Sequence, residues 1–212
     1  VLSNTGTITP DMHNNNVIEF DKVNFSYGRE RVLHDVSFSI NKGEKIAIVG
    51  ETGAGKSTIA KLILRFYLPN EGDVNFYGES SRQVSQKWAR KNIAYVPQES
   101  FLFRGSIKNN LIYSNPEGIN LEQELQEIGV LDWFERYENG LDQEVGERGA
   151  NVSAGERQFI ALLRAVLAKR EIIVFDEATA NLDIESENSI LDATDTLPVS
   201  YTHLTLPTNG LV

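Results

Sequence analysis

The sequence predicts an α/β fold, and three observations carry that prediction. Short apolar runs, Ile46-Ala47-Ile48-Val49 and Ile172-Ile173-Val174-Phe175, alternate with amphipathic helical stretches, as in a sheet covered by helices. Ahead of them, apolar and polar residues alternate through Ile18-Glu19-Phe20-Asp21, Val23 to Tyr27 and again at Val36, Phe38 and Ile40, the signature of an antiparallel β region with one buried face. Residues 104–140 break both patterns with helical composition punctuated by Asn, Gly and Asp, which predicts an inserted helical lobe.

Taken in order, residues 1–16 are rich in Asn, Thr, Ser and Asp without any period and read as a linker or a cut end. Asn41-Lys42-Gly43 is a turn. Lys45 to Val49 is a short apolar strand suited to the middle of a parallel sheet. In the helix that follows, Ile59, Leu62, Ile63 and Phe66 fall on one core-facing stripe. Val74 to Tyr77 and Ile93 to Val96 are further strands. Leu121, Leu125 and Ile128 mark a helix in the inserted lobe, and Ala154 to Ala168 forms a largely buried helix. Glu171 to Phe175 is a buried strand, and Ile184 to Thr194 reads as a helix.

Composition excludes several classes of function. The formal net charge of −10 argues against a broad nucleic-acid or anionic-membrane surface, so no nucleic-acid partner is expected. The chain has no cysteine, which removes disulfides and thiolate metal sites. No apolar run approaches the roughly 18–20 residues that span a bilayer. A membrane role therefore requires another chain or sequence outside this one.

Gly50-Glu51-Thr52-Gly53-Ala54-Gly55-Lys56-Ser57 fits the phosphate-loop pattern, between a buried strand and an amphipathic helix. The chemistry needs this composition. Glycines let backbone N–H groups curl around an anion without Cβ clashes, and the new helix directs its N-terminal partial charge at the phosphates. Lys56 adds a full charge near the β- and γ-phosphates, the Ser57 hydroxyl can ligate Mg²⁺, and Thr58 continues the site. The bland alternative is a chance glycine turn before a helix.

The strand Ile172 to Phe175 ends in Asp176-Glu177, where ligands sit in open α/β sheets. Asp176 would hold Mg²⁺ through water, and Glu177 would orient or deprotonate the attacking water. Alternatively, such acidic residues cap a following helix.

With these residues in place, the chain resembles the nucleotide-binding domain of ABC ATPases. Val152-Ser153-Ala154-Gly155-Glu156 is similar to the LSGGQ-type signature, with Ala154 in place of a glycine and Glu156 in place of the glutamine. Tyr27 stands where the family's adenine-stacking aromatic sits. Gln98, within Tyr95-Val96-Pro97-Gln98-Glu99, matches the Q-loop, and Ala180-Asn181-Leu182-Asp183 matches the D-loop. The stretch Gln98 to Ile107, and Val145-Gly146-Glu147-Arg148-Gly149 before the signature, resemble the exporter versions of these loops.

The resemblance implies a P-loop NTPase (RecA-like) core with an N-terminal antiparallel β subdomain and an inserted α-helical signature subdomain at about 104–165. Residues 1–16 would be a linker from a transmembrane domain of the same polypeptide, and 17–197 the nucleotide-binding domain. It further implies ATP and Mg²⁺ as cofactors, with Ser57, Gln98 and Asp176 at the metal. A second nucleotide-binding domain, identical or not, would be the partner. The ATP of one domain would be clamped by Ser153, Gly155 and Glu156 of the other, with Asp183 nearby. The expected location is the cytoplasmic face of the cell membrane. Plainer roles remain for several of these: a strand aromatic such as Tyr27 can be core, Ser153 and Asp183 can be helix caps, and Gln98 can be an ordinary polar residue after a proline.

The family's switch histidine should end a further strand near position 208. Here Pro198 to Pro207 offers no apolar strand, two prolines bracket the segment, and His203 is not assigned that role. Residues 198–212 are therefore expected to be a non-native tail; Val199 to Leu204 resembles a translated transposon-end adapter. A neighbouring strand would be left with unpaired backbone groups, and hydrolysis would be impaired. The expected function is ATP binding and hydrolysis driving export. The alternatives are a soluble non-transport ABC ATPase and a non-catalytic ATP-binding subunit of an asymmetric pair.

Overall fold

The computed structural model describes residues 6–51, 53–113 and 119–176, together with the backbone of 202–205. The chain divides into two compact units, one containing residues 6–95 and 171–176 with the 202–205 segment, the other residues 96–170.

The first unit opens with two long strands, β1 (Asn16–Tyr27) and β2 (Glu30–Asn41), paired antiparallel. The alternation seen in the sequence puts Ile18, Phe20, Val23 and Phe25 of β1 inside, and Phe20 lies opposite Phe38 with the rings stacked at 4.5 Å. β3 (Lys45–Ala47) leads through the glycine loop into α1 (Lys56–Ile63). β4 (Glu71–Phe76) and β5 (Glu79–Ser80) complete an antiparallel sheet of order β2-β1-β4-β5. Next come α2 (Gln86–Asn92), capped by the Ser85 side chain, and β6 (Ile93–Val96).

The chain then forms the second unit. It contains the short strand β7 (Gly105–Ser106), α3 (Ile107–Ile112), α4 (Leu121–Ile128), 3-10 turns at Leu131–Arg136 and Gly140–Asp142, β8 (Glu144–Val145) and α5 (Ala154–Leu167). Leu121, Leu125 and Ile128 are buried as their spacing predicts. Trp133 stacks on Phe159 of α5 with centroids 4.2 Å apart. Asn110, 1% exposed, is the polar centre of this unit. Its amide bonds both backbone groups of Phe103 and the carbonyl of Ser106, and its oxygen accepts from Arg164 at 2.7 Å.

β9 (Ile172–Phe175), buried along its whole length, and β10 (Thr202–Thr205) belong again to the first unit and form a second sheet of order β3-β10-β9-β6. One core serves both sheets and α1: Ile18, Phe20, Val74, Ile59, Leu62 and Ile172 belong to a single cluster.

Four expectations need correction. No strand was expected after residue 197, yet β10 runs parallel between β3 and β9, with His203 in register with Lys45 and Ile173. Without it the facing backbone groups of both strands would be unpaired, and Thr and Leu suit a strand. The strand at Lys45 to Val49 ends at Ala47, and among the described strands it pairs with β10; Val49 is 60% exposed. Phe66 leaves the α1 stripe and is 59% exposed, because the helix stops at Ile63 and Arg65, at φ 53°, turns the chain away. Lastly, the aperiodic N-terminal stretch is docked from Gly6 onward. Ile8 and residues 83–85 exchange backbone hydrogen bonds of 2.9 Å, and the carbonyl of Val84 lies where a side chain at position 6 would stand. The helix predicted at 184–194 lies outside the described residues.

Asn110→Ala would leave the Phe103 backbone groups and the Arg164 guanidinium without their buried partner. A loss of about 2–4 kcal/mol is expected, read as a lower urea midpoint.

Candidate functional site

The phosphate loop is built by two left-handed glycines. Gly53 and Gly55 have φ of 88° and 89°, a region that costs an L-residue strain, and Gly55 is the N-cap of α1. The space at Gly55 is also closed: an added Cβ would stand 2.6 Å from Leu33 Cδ2 and 3.2 Å from Val32 Cγ1 of β2. A turn from the Ala54 amide to the Glu51 carbonyl at 3.0 Å shapes the loop's centre. The amides of Lys56 and Ser57 open the helix and have no carbonyl four residues back within it, so they point out of its N-terminus as donors.

Lys56 is 7% exposed, and its ammonium donates to the carbonyls of Gly50 at 2.6 Å and Glu51 at 3.0 Å. The charge is thus held across the mouth of the loop. Ser57 is exposed and Thr58 is buried. The Thr58 hydroxyl donates to the Tyr27 hydroxyl at 3.5 Å, the limit of a hydrogen bond, so the end of β1 meets the start of α1. Tyr27 is half-buried, packed edge-on by Phe25 and Tyr67 and approached by the Lys61 ammonium at 5.7 Å from its ring. A cleft of about 680 Å³ runs along it, bordered by Gly28, Lys61, Tyr67 and Asn70.

Asp176 stands at the end of β9. Tyr95 of the adjacent strand β6 donates its phenolic hydrogen to Asp176 Oδ2 at 3.0 Å. Burial, and then the neighbouring carboxylate, push the Tyr95 phenol well above its usual range, so it is a constant donor. Sequence reading did not single out Tyr95. The available signal was an aromatic with a polar tip in an otherwise apolar strand.

The donors fit Mg²⁺ in kind, since a hydroxyl at Ser57 and a carboxylate at Asp176 are hard oxygens. Among the described residues no group of three or more His, Cys, Asp or Glu could hold a metal by itself. That suits an ion that takes one carboxylate and completes its shell with phosphate oxygens and water.

In the second unit, Ser153 caps α5 through a reciprocal capping box. The Glu156 amide donates to Ser153 Oγ at 3.1 Å, and Glu156 Oε2 accepts from the Ser153 amide at 2.6 Å. Burial opposes ionisation of Glu156, but the Ser153 hydrogen bonds, the nearby Tyr137 phenol and the Arg136 charge together hold its carboxyl below the usual range. Gly155 lies in the first turn of this helix, and Gln98 is exposed. The structure brings Tyr27, Gly50, Glu51, Gly53, Ala54, Gly55, Lys56, Ser57, Thr58 and Asp176 into the first unit. Gln98, Ser153, Gly155 and Glu156 are placed in the second. Thr52, Glu177 and Asp183 lie outside the described residues.

The ABC transporter family matches residues 33–180, more than half of the chain. The chain belongs to the ABC transporter family. Its fold is that family's ATPase domain, a P-loop NTPase core with an antiparallel β subdomain. Human mitochondrial iron-sulfur clusters transporter ABCB7 is 39% identical over 198 residues, 91% of this chain and 26% of that protein. The ATM1-type heavy metal exporter of Novosphingobium aromaticivorans is 41% identical over 177 residues, 82% of this chain and 29% of that protein. The solved structure of a bacterial Atm1-family ABC exporter with ATP bound is similar at a TM-score of 0.87 and 35% identity, covering 98% of this chain and 36% of that chain. This ABC chain therefore spans roughly a quarter to a third of these three proteins, and that share is their nucleotide-binding portion.

Because the Glu156 carboxyl titrates lower in the fold than in the unfolded chain, its charged cap stabilises above the usual carboxylate range and is lost as pH falls through the depressed value. The melting-temperature advantage over Glu156→Ala is accordingly expected to be largest near neutral pH and to shrink on acidification.

Proposed function

We propose that this chain binds MgATP and hydrolyses it to drive export of a substrate across a membrane, as the ATPase portion of an ABC exporter. The observation that carries the reading is the phosphate loop: two left-handed glycines, helix-opening amides and a buried Lys56 ammonium in one cradle. The exporters among its relatives support the direction of transport.

In this reading Lys56 and the loop amides, those of Lys56 and Ser57 among them, hold the β- and γ-phosphates, while Gly50, Glu51, Thr52 and Ala54 shape the loop. Tyr27 stacks on the base. Ser57, Gln98 and Asp176 hold Mg²⁺, which when bound neutralises charge on the phosphate oxygens. Glu177 orients or deprotonates the attacking water. Ser153, Gly155 and Glu156, with Asp183, serve the nucleotide of a second nucleotide-binding domain. The transmembrane partner is a domain of the same polypeptide, which puts the ATPase at the cytoplasmic face of the membrane. The lobe at 104–140 and the Gln98 loop form the coupling surface. Among the described residues, no helix is long and apolar enough to cross a membrane.

Glu177→Gln in the full-length protein is expected to trap ATP-bound dimers, seen as nucleotide-dependent dimerisation with turnover reduced by orders of magnitude. Normal turnover would remove Glu177 as general base. The finer proposal is that the present chain hydrolyses weakly, for lack of a strand-ending histidine near position 208. Steady-state phosphate release comparable with that of an intact exporter of this family would refute it.

A further inference from the structure

Asp176 is one carboxylate with two jobs to divide. An ionised carboxylate only accepts hydrogen bonds, and its terminal torsion is broad, so the side chain does not set its own orientation. Here one oxygen is committed: Oδ2 receives the Tyr95 hydroxyl at 3.0 Å. The two residues come from β9 and β6, neighbours in one sheet, and both are half-buried. The anchor is therefore fixed by backbone pairing on either side of it. What remains is Oδ1, held in one direction at the end of the strand that enters the nucleotide site.

Tyr95 also has no competing task in sight. Asp176 is the hydrogen-bond acceptor that its hydroxyl meets among the described residues. A phenylalanine at 95 would retain the ring's packing and delete only the anchor.

We propose that Tyr95 is a positioning residue for the divalent cation of MgATP, holding the Asp176 carboxylate in the orientation that receives the ion. The inference rests on the reading of Asp176 as a Mg²⁺ residue. Partners that orient a metal-binding carboxylate typically matter by roughly 10–100-fold in metal affinity. They leave contacts made by the nucleotide alone untouched, and Lys56 and the loop amides belong to that second group.

The test separates the two. Binding of the fluorescent nucleotide TNP-ATP is measured on the full chain, Tyr95→Phe and Asp176→Asn, in EDTA and across a MgCl₂ titration, with Mn²⁺ retention in the presence of ATP followed by electron paramagnetic resonance. Tyr95→Phe is expected to bind TNP-ATP in EDTA as the parent does, while the Mg²⁺ concentration for the half-maximal gain in affinity rises roughly tenfold and less Mn²⁺ is retained. If Asp176→Asn raises the Mg²⁺ requirement and Tyr95→Phe does not, the positioning role is overturned and the Asp176 reading survives. If neither variant moves it, both are overturned. If Tyr95→Phe weakens binding equally with and without metal, its effect is on the fold, and the positioning role is again overturned.

Discussion

The close approach of β2 to the phosphate loop at Gly55 constrains everything around it. Leu33 and Val32 occupy the space where a Cβ would stand, and the backbone there is left-handed, so one position carries both a steric and a torsional demand for glycine. Helix α1 starts immediately afterwards, and its stripe of Ile59, Leu62 and Ile63 is buried in the same cluster as Leu33, Phe20 and Ile172. The antiparallel sheet thus fixes the origin of α1, and with it the direction of the helix N-terminus and its amides. The hairpin that supplies Leu33 also supplies Tyr27 at the other end of its turn, which is why the aromatic reaches Thr58.

A chain of net charge −10 binding a polyanion needs short-range donors. The screening length is about 10 Å at moderate salt, so distant carboxylates count for little once the anion is seated. What counts is the buried Lys56 ammonium and a set of amides aimed at one point. An ammonium has three donors, and the loop's own carbonyls take two of those on Lys56. Those carbonyls limit the desolvation cost of a nearly buried charge while leaving a donor for phosphate.

Motifs whose function dictates both composition and spacing were legible in the sequence: the glycine loop, the strand ending in Asp176, the cap at Ser153. Features set by tertiary pairing were not. Apolar content at Ile46 to Val49 predicted a strand through Val49, but content does not report where a strand ends, and β3 stops at Ala47. Spacing put Phe66 in the helical stripe, but a single left-handed residue at Arg65 ended the run. Thr202 to Thr205 carries too little apolar character to announce a strand, and its place comes from the backbone groups of β3 and β9 on either side. Tyr95 was hidden because its partner is 81 positions away along the chain.

The two departures of Val152 to Glu156 from the LSGGQ-type pattern it resembles both have a physical explanation. Ala154 is the first residue of α5, where the backbone is helical, so the glycine it replaces offers no conformational advantage and the amide is retained. Glu156 falls at the third position, where a carboxylate or an amide oxygen can accept from the Ser153 amide, so either completes the capping box. The difference lies in charge. The capping hydrogen bond consumes the Ser153 amide and an acceptor site of its hydroxyl, leaving the hydroxyl hydrogen and the amides of Ala154 and Gly155 as donors. Glu156 places a negative charge beside those donors, which favours the helix dipole and opposes a second anion at the same end. Arg136, stacked 4.0 Å over the Trp133 ring, acts on that carboxylate with the opposite sign. The helix end therefore keeps its rigidity from the carboxylate and recovers part of its positive character from the arginine.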